Sequence, residues 1–318
     1  MLDHDWQAFI IYGVRFRDFG GYLCHMYLLT RAGLWVLSLL PFAFFHALSW
    51  GVARILFYVI GYRKEVVLQN LAIAFSDLTE DERQQIAKDF YLRFTDTFLE
   101  SVKMLSLTNK GALRRVTLDL RVVEQLLAEG RSVQLMVAHQ FNWEYINLTL
   151  PVAFKHPFYF VYRPIGNKVM DRLFLWQRTR LGGHAVSADQ FAAKKEMIFS
   201  RPAVLALGAD QNPGRPDQAL WMPFFEKPAP FFTGPAKGAI QHNAAMVMLQ
   251  MERTRRGHYR FSTRLICEQP RNYSPEQLTY LYKCEVERVV KADPANYLWS
   301  HRRWRHQLKA EYKLYRGV

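Results

Sequence analysis

The middle of the chain alternates short apolar runs with longer amphipathic segments. The runs with the length and composition of buried strands are Val133 to Ala138, Phe158 to Tyr162 and Ala203 to Leu207. Further along, Ala245 to Arg253 and His258 to Cys267 flank a turn at Arg255-Arg256-Gly257, which predicts a hairpin. Because strands alternate here with helical patterns, the sequence predicts an α/β sheet with helices on its faces.

Helix-start signals lie on both sides of this region. Thr79 and Glu82 form a capping box that predicts a long helix through about Met104, and Ser274 with Gln277 caps a last amphipathic helix. The apolar stripe on the long helix is interpreted as core packing and consists of Ile86, Phe90, Phe94 and Phe98. Two more helices are predicted from Glu65 to Phe75 and from about Gly234 to Asn243.

An uncharged apolar tract of 22 residues lies between Arg31 and Arg54. It is long enough to cross a bilayer core, although Pro41 and His46 weaken its apolar character. Basic residues flank both sides, so the tract either spans the membrane, lies in one leaflet, or forms a buried helical hairpin broken at Pro41. We therefore divide the chain into an N-terminal membrane-associated segment, residues 1–61, and one domain, residues 62–318.

Composition narrows the possible partners. The chain has 318 residues, 50% of them hydrophobic, and 42 Lys and Arg against 28 Asp and Glu, a net charge of +14. This charge favours an acidic phospholipid, a phosphorylated substrate, an acidic carrier protein or nucleic acid, and nucleic acid is the least favoured because no binding motif for it is found. The three cysteines are far apart and no metal-ligand spacing occurs, so no metal and no cofactor is expected.

The strongest candidate chemistry lies where the first predicted strand ends. His139 follows that apolar run, and Glu144 comes five residues later in a helix predicted from Asn142 to Leu150. A carboxylate bonded to one imidazole nitrogen fixes the tautomer and leaves the other nitrogen to take a proton from a hydroxyl. We interpret His139 as a general base and Glu144 as its orienting carboxylate; the alternative is a surface ion pair.

Polar side chains also follow the other two predicted strands. Arg163 follows the second strand, and Asp210 and Gln211 follow the third. Since the carboxyl ends of neighbouring strands converge on one crevice, we expect His139, Arg163 and Asp210 at the same edge. Arg163 could bind a phosphate or stabilise an oxyanion, and Asp210 could hold Arg163 or bind an acceptor. A surface arginine and a self-contained Asp-Pro-Gly turn are the structural alternatives.

Two aromatic segments indicate contact with lipid. The stretch from Pro223 to Pro235 is predicted to be a loop that walls a tunnel for an acyl chain or dips into a bilayer. Its aromatic residues are Phe224, Phe225, Phe231 and Phe232. The last eighteen residues contain six Lys and Arg against one Glu, with Trp304 among them, and suit a membrane interface or an acidic partner.

Six motifs occur in order between about Tyr62 and Trp304. They are Val66 to Leu71 with Ala74-Phe75, Ala138 to Glu144, Tyr162-Arg163-Pro164, Ala209 to Gly214, Pro223-Phe224-Phe225 with Thr233 to Ala236, and Tyr297 to Trp304. In this set the chain resembles the late acyltransferases of lipid A biosynthesis, the lauroyl and myristoyl transferase family within the wider lysophospholipid acyltransferase group. Many members have a Gly-His-Phe-Gly-Asn-Trp-Glu form, whereas this chain has Ala138 and Gln140 beside the histidine, a departure that bears on the acceptor more than on the chemistry.

The resemblance implies an acyltransferase core at the cytoplasmic face of the bacterial inner membrane, behind an N-terminal membrane segment. It implies transfer of an acyl chain from an acyl carrier protein thioester to a hydroxyl of a membrane lipid, above all a lipid A precursor. It implies His139 as base, Glu144 as its partner, and a site lined or supported by Asn142, Arg163, Asp210 and Gln211. The alternatives are an acyltransferase for an aminolipid, ornithine lipid or lysophospholipid, and a non-catalytic protein that binds anionic lipid.

Overall fold

A computed structural model describes residues 21–317 and is organised around a seven-stranded sheet. The strands are β1 (Val116–Asp119), β2 (Val133–Val137), β3 (Phe158–Tyr162), β4 (His184–Ser187), β5 (Val204–Gly208), β8 (Ala245–Arg255) and β9 (His258–Cys267). Their spatial order is β1-β9-β8-β2-β5-β3-β4, and every neighbouring pair is parallel except the hairpin β8–β9. The predicted α/β class and the predicted strands are confirmed, whereas the short edge strands β1 and β4 were not predicted.

Helices cover both faces of the sheet. They are α1 (Gly21–Ser38), α2 (Phe42–Arg54), α3 (Lys64–Ala74), α4 (Glu80–Met104), α5 (Asn109–Leu113), α6 (Arg121–Ala128), α7 (Glu144–Ala153), α8 (Lys168–Thr179), α9 (Phe191–Ile198), α10 (Gly234–His242) and α11 (Pro275–Ala292). Alternate residues of one strand enter different cores: Leu205 and Leu207 pack on one face, and Val204 and Ala206 on the other. Burial on both faces explains why these strands are continuous apolar runs rather than alternating ones.

The stretch predicted to be a loop after Pro223 is instead an antiparallel hairpin of β6 (Leu220–Phe224) and β7 (Lys227–Phe231). Phe225 and Glu226 form its turn with positive φ angles of 49° and 64°. The prolines in this stretch argued against strands, because proline has no N–H to donate to a neighbouring strand. In a two-stranded ribbon both strands are edge strands, where a missing N–H is tolerated.

The N-terminal apolar tract is broken rather than continuous. Helix α1 ends at Ser38, Pro41 precedes α2, and α2 continues without interruption through a π-helical turn at Ile55–Ile60. The predicted break at Pro41 is confirmed, but the hairpin is not buried: Leu29, Val36 and Val59 are exposed by 72%, 61% and 78%. One helix among the described residues, Phe42–Ile60, is long and apolar enough to cross a membrane.

The long helix α4 packs against α1, α2 and α3. It begins at the predicted capping box, in which the Thr79 side chain and Glu82 exchange hydrogen bonds with each other's backbone. Phe90 and Phe94 are buried as predicted, but Phe98 is 47% exposed and lies outside the core. The predicted apolar stripe therefore packs in the core only as far as Phe94. The division of the chain at residue 61 stays a prediction.

Candidate active site

His139 and Asp210 meet where two neighbouring parallel strands end. Val137 of β2 pairs with Gly208 of β5, so His139 and Asp210, each two residues further on, lie side by side. Asp210 accepts hydrogen bonds from Nδ1 of His139 at 2.7 Å and from its backbone N–H at 2.9 Å. The carboxylate is fully buried, while the imidazole keeps 30% of its side-chain surface exposed. The register of β2 against β5 therefore brings this histidine–carboxylate pair together, with the imidazole exposed on one side.

The electrostatics of this pair favour a charged couple. Burial lowers the pKa of His139, but the charge of Asp210 and its hydrogen bond outweigh burial and raise that pKa above its usual value. Burial of Asp210 acts to raise the pKa of its carboxyl, yet His139 and backbone hydrogen bonds bring it below its usual value. With Nδ1–H donated to Asp210, Nε2 of the neutral imidazole carries the lone pair that can accept a proton.

Glu144 is not the carboxylate that holds His139, which corrects the expectation from their spacing. Its oxygens accept from Nε and Nη2 of Arg178 on α8, at 2.9 and 2.5 Å, and from the indole of Trp143 at 3.0 Å. A bidentate arginine saturates the carboxylate more fully than one imidazole N–H can. Burial lowers the pKa of Arg178, but Glu144 outweighs it and raises that pKa. The Trp143 ring, with its centroid 6.1 Å from that of His139, separates the two pairs.

The segment between His139 and Glu144 is fixed residue by residue. The backbone N–H of Phe141 donates to Asn296, and Oε1 of Gln140 accepts from the backbone N–H of Met251 on β8. Nδ2 of Asn142 donates to Glu100 on α4 at 3.3 Å. Ala138 and Gln140 are both buried, so the departure from the family pattern on either side of His139 fills the interior rather than an exposed surface.

The other predicted site residues occupy different surroundings. Arg163 follows β3 and is exposed at the same edge of the sheet as His139 and Asp210. Gln211 is half-buried directly after Asp210, and Asn142 is fully buried. Asp210 is bonded to His139, and no contact between Asp210 and Arg163 is found among the described residues. The structure therefore brings Arg163 to the edge as predicted but does not join it to the pair.

The aromatic residues of the hairpin lie in the core rather than against a membrane. Phe224 and Phe231 are fully buried and Phe225 is 6% exposed, while Phe232 is half-buried. The rings of Phe224, Phe225 and Phe231 pack on one another and on the indoles of Trp299 and Trp304. Burial of three of these rings does not fit contact with the bilayer, because the hairpin folds inward onto the C-terminal segment. The alternative, contact with an acyl chain, stays a prediction.

That C-terminal segment completes the site and was missed as a functional element, although Tyr297 to Trp304 stood out as a motif. The backbone N–H of Leu298 donates to the carbonyl of His139 at 3.0 Å. His301 accepts from the backbone N–H of Asn212 through Nε2 at 3.1 Å, and burial with neighbouring Arg303 lowers its pKa to about 4. The segment therefore fixes the loop that carries Asp210.

Arg303 also anchors the loop that carries Asp210. It is 1% exposed and donates to Oδ1 of Asn212 and to the carbonyl of Pro230, at 3.0 and 2.9 Å. Its guanidinium lies 4.3 Å from the ring centroid of Phe231. Burial lowers the pKa of Arg303 to about 10. Tyr282 of α11 adds a further tie, donating to the carbonyl of Val137 and accepting from the backbone N–H of Ala209.

Comparisons with known proteins point to one family of enzymes. The family described as bacterial lipid A biosynthesis acyltransferase matches residues 22–306. The lipid A biosynthesis lauroyltransferase of Escherichia coli K12 is 24% identical over 301 residues, which cover 88% of this chain and 92% of the relative. The lipid A biosynthesis acyltransferase of Haemophilus influenzae Rd is 23% identical over 235 residues, 72% of each chain.

An α/β sheet that ends in a histidine–carboxylate pair, together with these relatives, defines an acyltransferase enzyme. The family match covers most of the chain, and the protein therefore belongs to the bacterial lipid A biosynthesis acyltransferase family, as its motifs indicated. The exposed apolar helix Phe42–Ile60 and the family together support association with a membrane of the bacterial envelope.

Proposed function

We propose that this enzyme transfers an acyl chain from an acyl carrier protein thioester to a hydroxyl of a lipid A precursor, with His139 as general base. The observation that carries the proposal is the pairing of His139 with buried Asp210, which leaves Nε2 for proton transfer. Asp210 takes the orienting role that the sequence pattern gave to Glu144. A thioester is already activated, so the step that needs help is deprotonation of a weakly acidic alcohol.

In this scheme the acceptor oxygen attacks the thioester carbonyl as its proton passes to Nε2 of His139. A carbon–oxygen bond forms, the carbon–sulfur bond breaks, and the proton then goes to the leaving thiolate. Asp210 stabilises the imidazolium in between, which agrees with the raised pKa of His139. No covalent enzyme intermediate is required, so both substrates are bound together.

Glu144 and Arg178 have a different part in this proposal. Their ion pair is largely buried, with side chains 4% and 17% exposed, and contacts the base only through Trp143. We assign the pair to the wall of the site, where it fixes the start of α7 and so the end of the loop that begins at His139. Arg163, exposed at the same edge, is positioned to meet an anionic group of either substrate.

The proposed donor and location follow from charge and surface. A net charge of +14 favours an acidic carrier protein, and that carrier is cytosolic, which requires the site to face the cytoplasm at the inner membrane. The apolar residues exposed on α1 and α2 would hold the enzyme at the bilayer that contains its acceptor.

The test is a reconstituted assay with purified acyl carrier protein thioester and separate acceptors: a lipid A precursor, an ornithine lipid and a lysophospholipid. We expect transfer to the lipid A precursor, intersecting initial-velocity lines, and a loss of about 10²- to 10⁴-fold in turnover for His139→Ala. Full activity of folded His139→Ala would refute the proposed base. Transfer to only one of the other lipids would reassign the acceptor.

A further inference from the structure

The membrane-facing helix α2 is attached to the acyltransferase core through two buried carboxylates, Asp96 and Glu100. They lie one turn apart on α4, and each is 1% exposed. Asp96 binds Ser49 of α2 at 2.6 Å and the guanidinium groups of Arg253 and Arg256, the latter at 2.6 Å. Glu100 binds His46 of α2 at 3.2 Å. Helix α2 is thus held by polar contacts on the side that faces α4.

Only one of these carboxylates also reaches the candidate active site. Glu100 accepts from Nδ2 of Asn142 at 3.3 Å and from the hydroxyl of Tyr259 on β9 at 2.9 Å. Asn142 is the third residue after His139 and is fully buried. Within the described part of the chain, Asp96 makes its hydrogen bonds to Ser49, Arg253 and Arg256, and none to the segment from His139 to Glu144. Glu100 therefore joins three elements, α2, β9 and the loop of the base.

The chemistry of this junction requires an acceptor with several lone pairs. Hydrogen bonds from Asn142 and Tyr259 and a third with His46 converge on Glu100, and its two oxygens offer several lone pairs to share among them. Burial and the charge of Glu100 raise the pKa of Tyr259 well above its usual value, so that its hydroxyl stays protonated and donates. A buried acceptor holds its donors in place, since each hydrogen bond lost leaves a desolvated polar group.

We propose that Glu100 is a positioning residue that fixes the His139–Glu144 loop against helix α2, and thereby fixes the position of His139. The inference rests on the proposed function of His139. It adds an anchor for the middle of the loop, because Asn142 is held from α4 while Asp210 holds the start of the loop. Glu100 supplies this anchor in addition to the contacts of Gln140 and Phe141, and it is itself only 1% exposed.

The experiment compares Glu100→Gln with Asp96→Asn, a matched control in which a carboxylate of equal burial on the same helix also loses its charge. Both variants are expected to lower the midpoint of thermal unfolding. Well below that midpoint, Glu100→Gln should lower kcat about 10- to 100-fold with KM changed less than about twofold, because a misplaced base slows chemistry rather than binding. Asp96→Asn should keep kcat within about threefold of the wild type.

A double-mutant cycle with Asn142→Ala separates positioning from general destabilisation. If Glu100 acts through Asn142, the two losses in kcat overlap and the double variant is little slower than the slower single variant. Losses that multiply, or equal losses in Glu100→Gln and Asp96→Asn, would overturn the inference. If Glu100→Gln does not fold, Tyr259→Phe and Asn142→Ala replace it, and full kcat in Asn142→Ala would equally overturn it.

Failure of this inference is distinguishable from failure of the proposed function. An inactive His139→Ala variant together with a fully active Glu100→Gln variant would leave His139 as the base and remove only the positioning role of Glu100. A fully active His139→Ala variant would remove the proposed base itself, whatever Glu100→Gln showed.

Discussion

Gly208 lies directly against the imidazole of His139: a β-carbon added at Gly208 would lie 3.2 Å from Cε1 and 3.7 Å from Nδ1 of that ring. The imidazole cannot move away freely, because Nδ1 is bonded to Asp210 and the backbone carbonyl to Leu298. The absence of a side chain on the last residue of β5 is therefore what allows the base to lie across the end of the strand.

Gly208→Ala should accordingly lower turnover while leaving the fold intact. Its backbone is not in the left-handed region, so alanine is accommodated without backbone strain. The crowding falls on His139, and a displacement of a few tenths of an ångström in a catalytic group costs about tenfold or more in rate. Steady-state kinetics and thermal unfolding measured together check this. A large drop in the unfolding midpoint with normal kcat would contradict it.

Asp210→Asn should reduce activity and move its pH dependence. Removing the carboxylate charge takes away the interaction that raises the pKa of His139, while burial still lowers that pKa. The acid limb of kcat/KM, which reports deprotonation of the base, should therefore shift to lower pH. The plateau should fall by about 10²- to 10⁴-fold, because an amide no longer enforces the tautomer with Nε2 unprotonated. An unchanged acid limb would exclude Asp210 as the partner of the base.

Glu144→Gln tests the competing assignment. The variant leaves the cation of Arg178 without its bidentate partner, so we expect a loss of about 10- to 100-fold in turnover through displacement of the start of α7. Since Glu144 makes no hydrogen bond to His139, the acid limb should stay where it is in the wild type. A shift of that limb equal to the shift in Asp210→Asn would return Glu144 to the role predicted from its spacing.

The sequence singled out His139 as the candidate base but paired it with the wrong carboxylate, for a physical reason. The interval from His139 to Glu144 is visible along the chain, whereas the pairing of His139 with Asp210 depends on β2 and β5 being adjacent, parallel and in register. Convergence of strand ends correctly placed both residues at one edge, yet it could not specify which side chains touch. The contacts of His301 and Arg303 with the loop that carries Asp210 could not be predicted from the convergence of strand ends. They depend on the C-terminal segment folding back over the edge of the sheet.

His301 makes stability depend on pH in the acid range. Its folded-state pKa is about 4 against an ordinary value of 6.5, so the unfolded chain binds more protons between these values. The contribution of neutral His301 is complete above about pH 6.5 and is lost as pH falls towards 4. His301→Gln keeps an acceptor for the backbone N–H of Asn212 without titrating. Denaturant unfolding at pH 7.0, 5.5 and 4.5 should show a shallower decline for the variant, and parallel declines would contradict the assignment.

The exposed face of α2 should hold the protein at the membrane. Leu48 is 43% exposed near the middle of the helix Phe42–Ile60, and its side chain lies outside both cores of the sheet. An aspartate at the centre of a spanning helix costs about 2.5 to 3.5 kcal/mol on insertion, whereas a helix packed only against protein would tolerate it on an exposed face. Leu48→Asp should therefore move a large fraction of the protein from the membrane pellet into the soluble fraction after alkaline carbonate extraction.

Ser49→Ala, which removes a polar contact on the face towards α4, is the control and should stay in the pellet. Equal retention of Leu48→Asp and wild type would show that α2 does not enter the bilayer.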